Sequence, residues 1–346
     1  MKIALLTYST RPRGGVVHTL ELAEALIKLH HEVSVWTLGR GGGFFRPVDP
    51  RVRLEVVPFP DRPGESVGER IVRSIALLRE AFTPDAYDVV HAQDCISANA
   101  VDRCVRTVHH LDQFTTPELV ACHERAIVRP YAHICVSSAV AGELAAGWGL
   151  NATVIPNGVD YERFASAEPL KTEHPYLLSV GGIEPRKGSL DLLDAYAEMH
   201  TDLRLVIAGG ETLFDYRDYR ARWDARAASL DVAPTVLGPV DHDALPSLVA
   251  GAAAFAFPST KEGFGLAAME ALAAGVPVVV RDLPVLREVF GDAVGYGHDP
   301  SSLAAALTQA VNRPNENRRA AGRALAAAHT WEIAARRHID FYSTLQ

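Results

Sequence analysis

Residues 258–274 read PSTKEGFGLAAMEALAA, between the apolar run AAFAF at 253–257 and GVPVVV at 275–280. Short apolar runs on either side of a stretch with helical spacing spell strand, loop, helix, strand, which is a βαβ unit. The loop is rich in glycine, so its backbone N–H groups can approach a ligand closely. The helix it opens offers unpaired donors at its positive dipole end, and an anion is welcome there. Two carboxylates flank that place, Glu262 in the loop and Glu270 further along the helix, with seven residues between them. Beside a phosphate they would repel it, so they suit hydroxyl donors such as those of a ribose and a sugar.

An E-x7-E spacing alone arises by chance in many helices, and a second stretch gives it weight. Gly181-Gly182-Ile183-Glu184-Pro185-Arg186-Lys187-Gly188 closes the apolar run 176–180 and precedes another helix-like segment. Adjacent basic residues are most often a solvated pair, but here they stand at a glycine-framed turn between strand and helix, where a diphosphate fits. Together the two stretches resemble glycosyltransferase family 4, in which a basic pair after a Gly-rich turn precedes E-F/G-F-G-x4-E. The resemblance runs from Gly14-Gly15 to Trp331. It implies an α/β fold of GT-B type, two doubly wound Rossmann-like domains facing across a cleft, with a C-terminal helix crossing back to the first. It also implies a nucleotide-diphosphate sugar as donor and retention of anomeric configuration. By its terms Arg186 and Lys187 hold the diphosphate, and Glu270 takes the ribose hydroxyls. Glu262 takes the sugar and phosphate together with the amides of Phe264, Gly265 and Leu266. Gly14, Gly15 and Gly182 complete the donor-binding set, and His109 joins Glu262, Arg186 and Lys187 as catalytic. No metal and no cofactor is implied.

At 346 residues the chain has length for two cores. Apolar residues at 48% and charged ones at 22% are ordinary globular values, and no run is long enough to span a bilayer. No signal-peptide pattern follows Met1, so the expectation is a cytoplasmic protein. A net charge of −8 argues against a nucleic-acid footprint; a membrane surface is open as a partner but nothing indicates it. Cys95, Cys104, Cys122 and Cys135 show neither C-x-x-C nor zinc spacing and are expected as reduced thiols.

Along the chain, a strand at 2–8 ends in a turn-forming loop at 9–15, and apolar residues recur at helical spacing from Val16 to Leu29. Strands are expected near 31–36, 52–59, 88–91, 106–109, 133–136 and 152–155, with helices at 65–82 and 117–128. Such alternation means a parallel, doubly wound sheet whose ligands bind at the carboxyl ends of its strands. The polar residues there are His91, Gln93, Asp94, His109, His110, Asp112 and Ser137. The family has a functional histidine after this strand, and Thr107-Val108-His109 matches its T-V-H, with His110 as the alternative. The turn Pro156-Asn157-Gly158-Val159-Asp160 and the polar segment 166–175 place the boundary, giving domains 1–165 and 166–328 and a returning helix at 329–346. The second half repeats the alternation, with strands near 176–180, 203–208, 235–237, 253–257, 276–280 and 294–296.

Other readings compete. Asp241-His242-Asp243 matches a D-x-D metal motif but directly precedes a helix start, where N-capping accounts for it. Gly263-x-Gly265-x-x-Ala268 with Asp282 suggests a nicotinamide-dependent dehydrogenase, although the loop after Phe257 is long for that tight turn. A non-catalytic nucleotide-sugar-binding protein is the third. The histidine pairs 30–31 and 109–110 lack zinc spacing. Gly209-Gly210-Glu211 departs from the G-x-G usual in the family, which leaves the base-side loop open, as are the base, the sugar, the acceptor and the oligomeric state.

Overall fold

Apolar runs buried on both faces make the central strands of this α/β chain, as parallel sheets covered by helices require. The computed structural model describes residues 1–39, 43–112, 114, 116–209 and 216–345, so that Gly41-Gly42 and Gly210-Glu211 lie outside the described residues. Two compact units divide the chain: Met1–Gly158 with Trp331–Gln346, and Val159–Thr330.

The first unit runs β1 (Lys2–Leu6), α1 (Gly14–Lys28), β2 (Glu32–Gly39), β3 (Arg53–Pro58), α2 (Val67–Ala81), β4 (Val89–Ala92), α3 (Cys95–Ala100), β5 (Val105–Val108), α4 (Pro117–Val128), β6 (Ala132–Cys135), α5 (Ser138–Trp148) and β7 (Thr153–Val154). Its strands pair in parallel in the order β3-β2-β1-β4-β5-β6-β7. Local chemistry starts the helices. Ser66 and Glu69 form a capping box for α2, Asp94 and Ser97 another for α3, and α5 stops at left-handed Gly149.

The second unit runs α6 (Tyr161–Ala165), β8 (Tyr176–Val180), α7 (Ser189–Glu198), β9 (Arg204–Ala208), α8 (Arg217–Ser229), β10 (Thr235–Gly238), α9 (Leu245–Ala250), β11 (Ala254–Phe257), α10 (Leu266–Ala273), β12 (Val278–Arg281), α11 (Pro284–Phe290), β13 (Gly295–Gly297), α12 (Pro300–Asn312) and α13 (Glu316–Ala328). Its parallel order is β10-β9-β8-β11-β12-β13. Leu177, Leu193, Ile207, Trp223 and Leu307 fill one face of that sheet. Each such side chain contributes about 1.5–3 kcal/mol by leaving water.

The last helix, α14 (Trp331–Ser343), belongs to the first unit and packs on α1. The units divide earlier than the sequence reading's 165/166, because α6 packs on α9, α10 and α13 of the second. In each sheet the strand order reverses direction once, between β1 and β4 and between β8 and β11. Ligands of doubly wound sheets bind outside the carboxyl ends of the strands at that place. In the second unit the loops concerned are 181–188 and 258–265, the two stretches singled out from the sequence.

Candidate active site

Glycines let the two loops of the second unit close on each other. Gly188 is left-handed (φ 65°), and a Cβ added there would lie 2.2 Å from the carbonyl oxygen of Pro258. Gly181 lets the stem of Lys187 lie across it, since an added Cβ would stand 3.0 Å from Lys187 Cε. The backbones then join: Thr260 N–H donates to the carbonyl of Arg186 at 2.8 Å. So placed, Lys187 Nζ and Arg186 Nη1 both donate to the same oxygen, Glu262 Oε1, at 2.7 and 3.2 Å. The Lys187 ammonium also lies 5.3 Å above the Phe257 ring. Two partly buried cations thus share one carboxylate, and charge-assisted bonds of this kind contribute about 1.5–3 kcal/mol. Beside them α10 begins at left-handed Gly265 (φ 95°), which brings no capping side chain. Glu270 lies in the second turn of that helix, half-buried.

In the first unit Gly14 and Gly15, read from the sequence as closing a turn-forming loop at a helix N-terminus, are the opening residues of α1, with Arg13 as N-cap and no side-chain cap hydrogen bond. Neither has a positive φ. A Cβ on Gly14 would meet nothing within 4 Å, and one on Gly15 only the His109 ring, at 3.7 Å. Neither conformation nor packing demands glycine there, whereas a ligand approaching the backbone would. His109 Nε2 donates to Gln93 Oε1 at 3.2 Å, which leaves the Nδ1 lone pair. Burial and the nearby Arg106 hold His109 well below its usual range, so it is neutral near pH 7. His110 instead pairs with Asp112 at 2.8 Å, and the neighbour of Gly15 is His109.

A family model described as Glycosyl transferases group 1 matches residues 160–326, and one described as Glycosyltransferase Family 4 matches residues 12–163. A phosphatidyl-myo-inositol mannosyltransferase of Mycobacterium tuberculosis is 30% identical over 393 residues, with 100% of this chain and 97% of that one covered. The chain belongs to glycosyltransferase family 4. Solved structures share its GT-B fold: sucrose-phosphate synthase from Thermosynechococcus elongatus matches with a TM-score of 0.81 at 20% identity, covering 99% of this chain and 98% of that one. HepE of Anabaena in complex with UDP-glucose matches with a TM-score of 0.75 at 18% identity, covering 99% and 100%. The chain is therefore an enzyme of glycosyl transfer, and neither the dehydrogenase nor the binding-only reading is favoured.

Elsewhere in this glycosyltransferase, several residues picked from the sequence turn out to serve the fold. His91 is not at a strand end but inside β4, fully buried, with Tyr342 Oη at 2.6 Å and Thr107 Oγ1 at 2.7 Å. Asp94 and Ser137 cap α3 and α5. The side chain of Asp241 does not cap α9; its Oδ1 accepts from Asp243 N–H at 3.0 Å, a local turn two residues wide. Among the described residues no three His, Cys, Asp or Glu side chains cluster as metal ligands, and no helix is long and apolar enough to cross a membrane. The four cysteines are free thiols. Sequence reasoning missed His18, whose Nδ1 donates to Asn157 Oδ1 at 2.9 Å and whose ring meets that of His109 edge-on, with centroids 4.8 Å apart. It also missed Arg281, where no motif gives a signal.

Proposed function

We propose that this glycosyltransferase takes its glycosyl unit from a nucleotide-diphosphate sugar and transfers it with retention of configuration, without a metal ion. The observation that carries the reading is the meeting of Arg186 and Lys187 on one oxygen of Glu262 beside the glycine-opened start of α10. A diphosphate carries more charge than the carboxylate and displaces it from the two cations. The released Glu262 then turns to the hydroxyls of the transferred sugar. The amides of Phe264, Gly265 and Leu266 and the backbone at Gly182 add donors to the phosphates, and Gly14 and Gly15 offer open backbone of the same kind. Glu270 accepts from the ribose hydroxyls, and the neutral His109 serves the sugar. As the bond from the anomeric carbon to the diphosphate breaks, negative charge grows on the leaving nucleotide, where Arg186 and Lys187 stabilise it in place of a metal.

The fold-mate solved with UDP-glucose makes that compound the first of a panel of nucleotide sugars for thermal-shift measurement. A donor at 100 times its dissociation constant adds about 2.7 kcal/mol of stability. The stabilising donor is then incubated with acceptor candidates, nucleotide release is measured with and without EDTA, and the anomeric configuration of the product is read by NMR. One stabilising donor, unchanged release in EDTA and a retained anomer are expected. A panel that stabilises nothing overturns the donor assignment. Turnover lost in EDTA and restored by manganese overturns the metal-free mechanism, and an inverted anomer overturns retention.

A further inference from the structure

Arg281, the last residue of β12, is 8% exposed and spends its guanidinium on three separate segments. Nε donates to the carbonyl of Pro258 at 2.8 Å, at the start of the loop that carries Glu262. Nη1 donates to the carbonyl of His298 at 2.9 Å, between β13 and α12. Nη2 donates to the carboxylate of Asp191, in the first turn of the helix that follows the Arg186-Lys187 loop. The packing leaves little room for a substitute: a Cβ on Gly188 would stand 2.2 Å from Pro258 O and 3.1 Å from Arg281 Nη2.

We propose that Arg281 is a positioning residue for the donor site, setting the distance between the loop of the basic pair and the loop of Glu262. The inference rests on reading those two loops as the donor site. It adds a residue that contacts none of the reacting atoms. A planar fork of N–H groups reaches three acceptors in three directions, which the single ammonium of lysine cannot reproduce. Without it the buried carbonyl of Pro258 and the carbonyl of His298 lose their donor, the loops shift relative to each other, and Lys187, Arg186 and Glu262 no longer converge. Catalytic groups act through placement within fractions of an ångström, so the loss falls on donor affinity and turnover together.

The test compares wild type, Arg281→Lys, Arg281→Ala and Asp191→Asn. Arg226→Ala serves as a control that removes another ion pair to the same helix, Arg226–Asp194 at 2.7 Å. Melting temperatures are measured first, then Kd for UDP, GDP and ADP, and kcat and KM with the matching sugar, all well below the lowest melting temperature. Wild type should bind one of the three. Arg281→Lys should bind it about tenfold more weakly and turn over about tenfold more slowly, no better than Arg281→Ala. Asp191→Asn, which keeps an acceptor but loses the charge, should fall between, and Arg226→Ala should match wild type. Millimolar guanidinium should restore part of the activity of Arg281→Ala and none to Arg281→Lys. Should Arg281→Ala fail to fold, the lysine and Asp191→Asn variants decide alone. If the Arg281 variants melt lower yet keep wild-type Kd and kcat, Arg281 only braces the fold and the positioning role is lost. A wild type that binds none of the three nucleotides overturns the donor reading itself, and this role with it.

Discussion

In the second unit the functional charges stay near solvent and neutralise one another, Arg186 and Lys187 sharing Glu262, whereas in the first unit imidazoles are kept neutral by exclusion of water. His18, His91 and His338 are at most 1% exposed, and His109 packs among them half-buried. The first arrangement can trade its internal carboxylate for a ligand's phosphates at small structural cost, since all three side chains remain partly solvated. The second cannot take up charge without breaking its packing. A unit that pairs its charges and a unit that keeps its rings neutral have therefore solved opposite electrostatic problems on the same kind of sheet.

Acid should break this contrast most strongly. Burial lowers His338 from 6.5 to about 4, against a raising hydrogen bond from its Nδ1 to Ala334 O, and burial lowers His18, His91 and His109 as well. With folded values below the unfolded one, the unfolded chain binds protons first. The stability these rings contribute is thus complete above pH 6.5 and is lost as pH falls from there toward 4. His338 alone accounts for about 3 kcal/mol of that loss. Urea unfolding between pH 7.5 and pH 4.5 should show the decline, shallower in His338→Gln. A wild type equally stable at both ends would mean that the rings are not held neutral.

A smaller effect, on the other side of the comparison, is expected from Lys187→Ala. On the proposed donor reading its cation meets the diphosphate in ground and transition states alike, but leaving-group charge grows as the bond breaks, so KM should rise and kcat should fall. The fall is at least about tenfold if 1.4 kcal/mol is lost. Steady-state kinetics of a folded variant indistinguishable from wild type would remove the phosphate assignment.

The finest distinction lies within α10 and its loop. Glu262→Gln frees the basic pair from its carboxylate, so donor affinity should hold while kcat falls. On the same reading Glu270→Ala removes an acceptor used equally in both states, so KM should rise more than kcat falls. Calorimetric donor affinity beside kcat separates the two. The reverse pattern, with Glu262→Gln losing the donor and Glu270→Ala losing only turnover, would exchange the roles of the two carboxylates.

Much of the candidate site was legible because its parts are local. Glycine turns, a basic pair at a strand end and a helix start each occupy a few consecutive residues, so spacing alone announces them. Other features were misread for the same reason. Gly14 and Gly15 looked like the end of the loop that leads into α1, with the helix from Val16, because glycine disfavours helix, and the backbone starts the helix two residues earlier. Asp241 looked like a helix cap because aspartate before a helix usually is, yet its side chain closes a tighter turn.

From its sequence alone, this protein's parallel α/β architecture, its family and the stretches that carry its charge were determined, since buried strands must be apolar and a helix must begin on particular residues. The tertiary structure decided which polar side chains meet. Lys187 and Glu262 lie 75 residues apart, Arg281 and Asp191 90, His18 and Asn157 139, and His91 and Tyr342 251. No periodicity links such pairs, because their meeting depends on strand order and loop closure rather than on neighbours along the chain. A lone arginine after Val278-Val279-Val280 reads as the end of a strand, and it becomes the tie between two loops only once β12 lies beside β11.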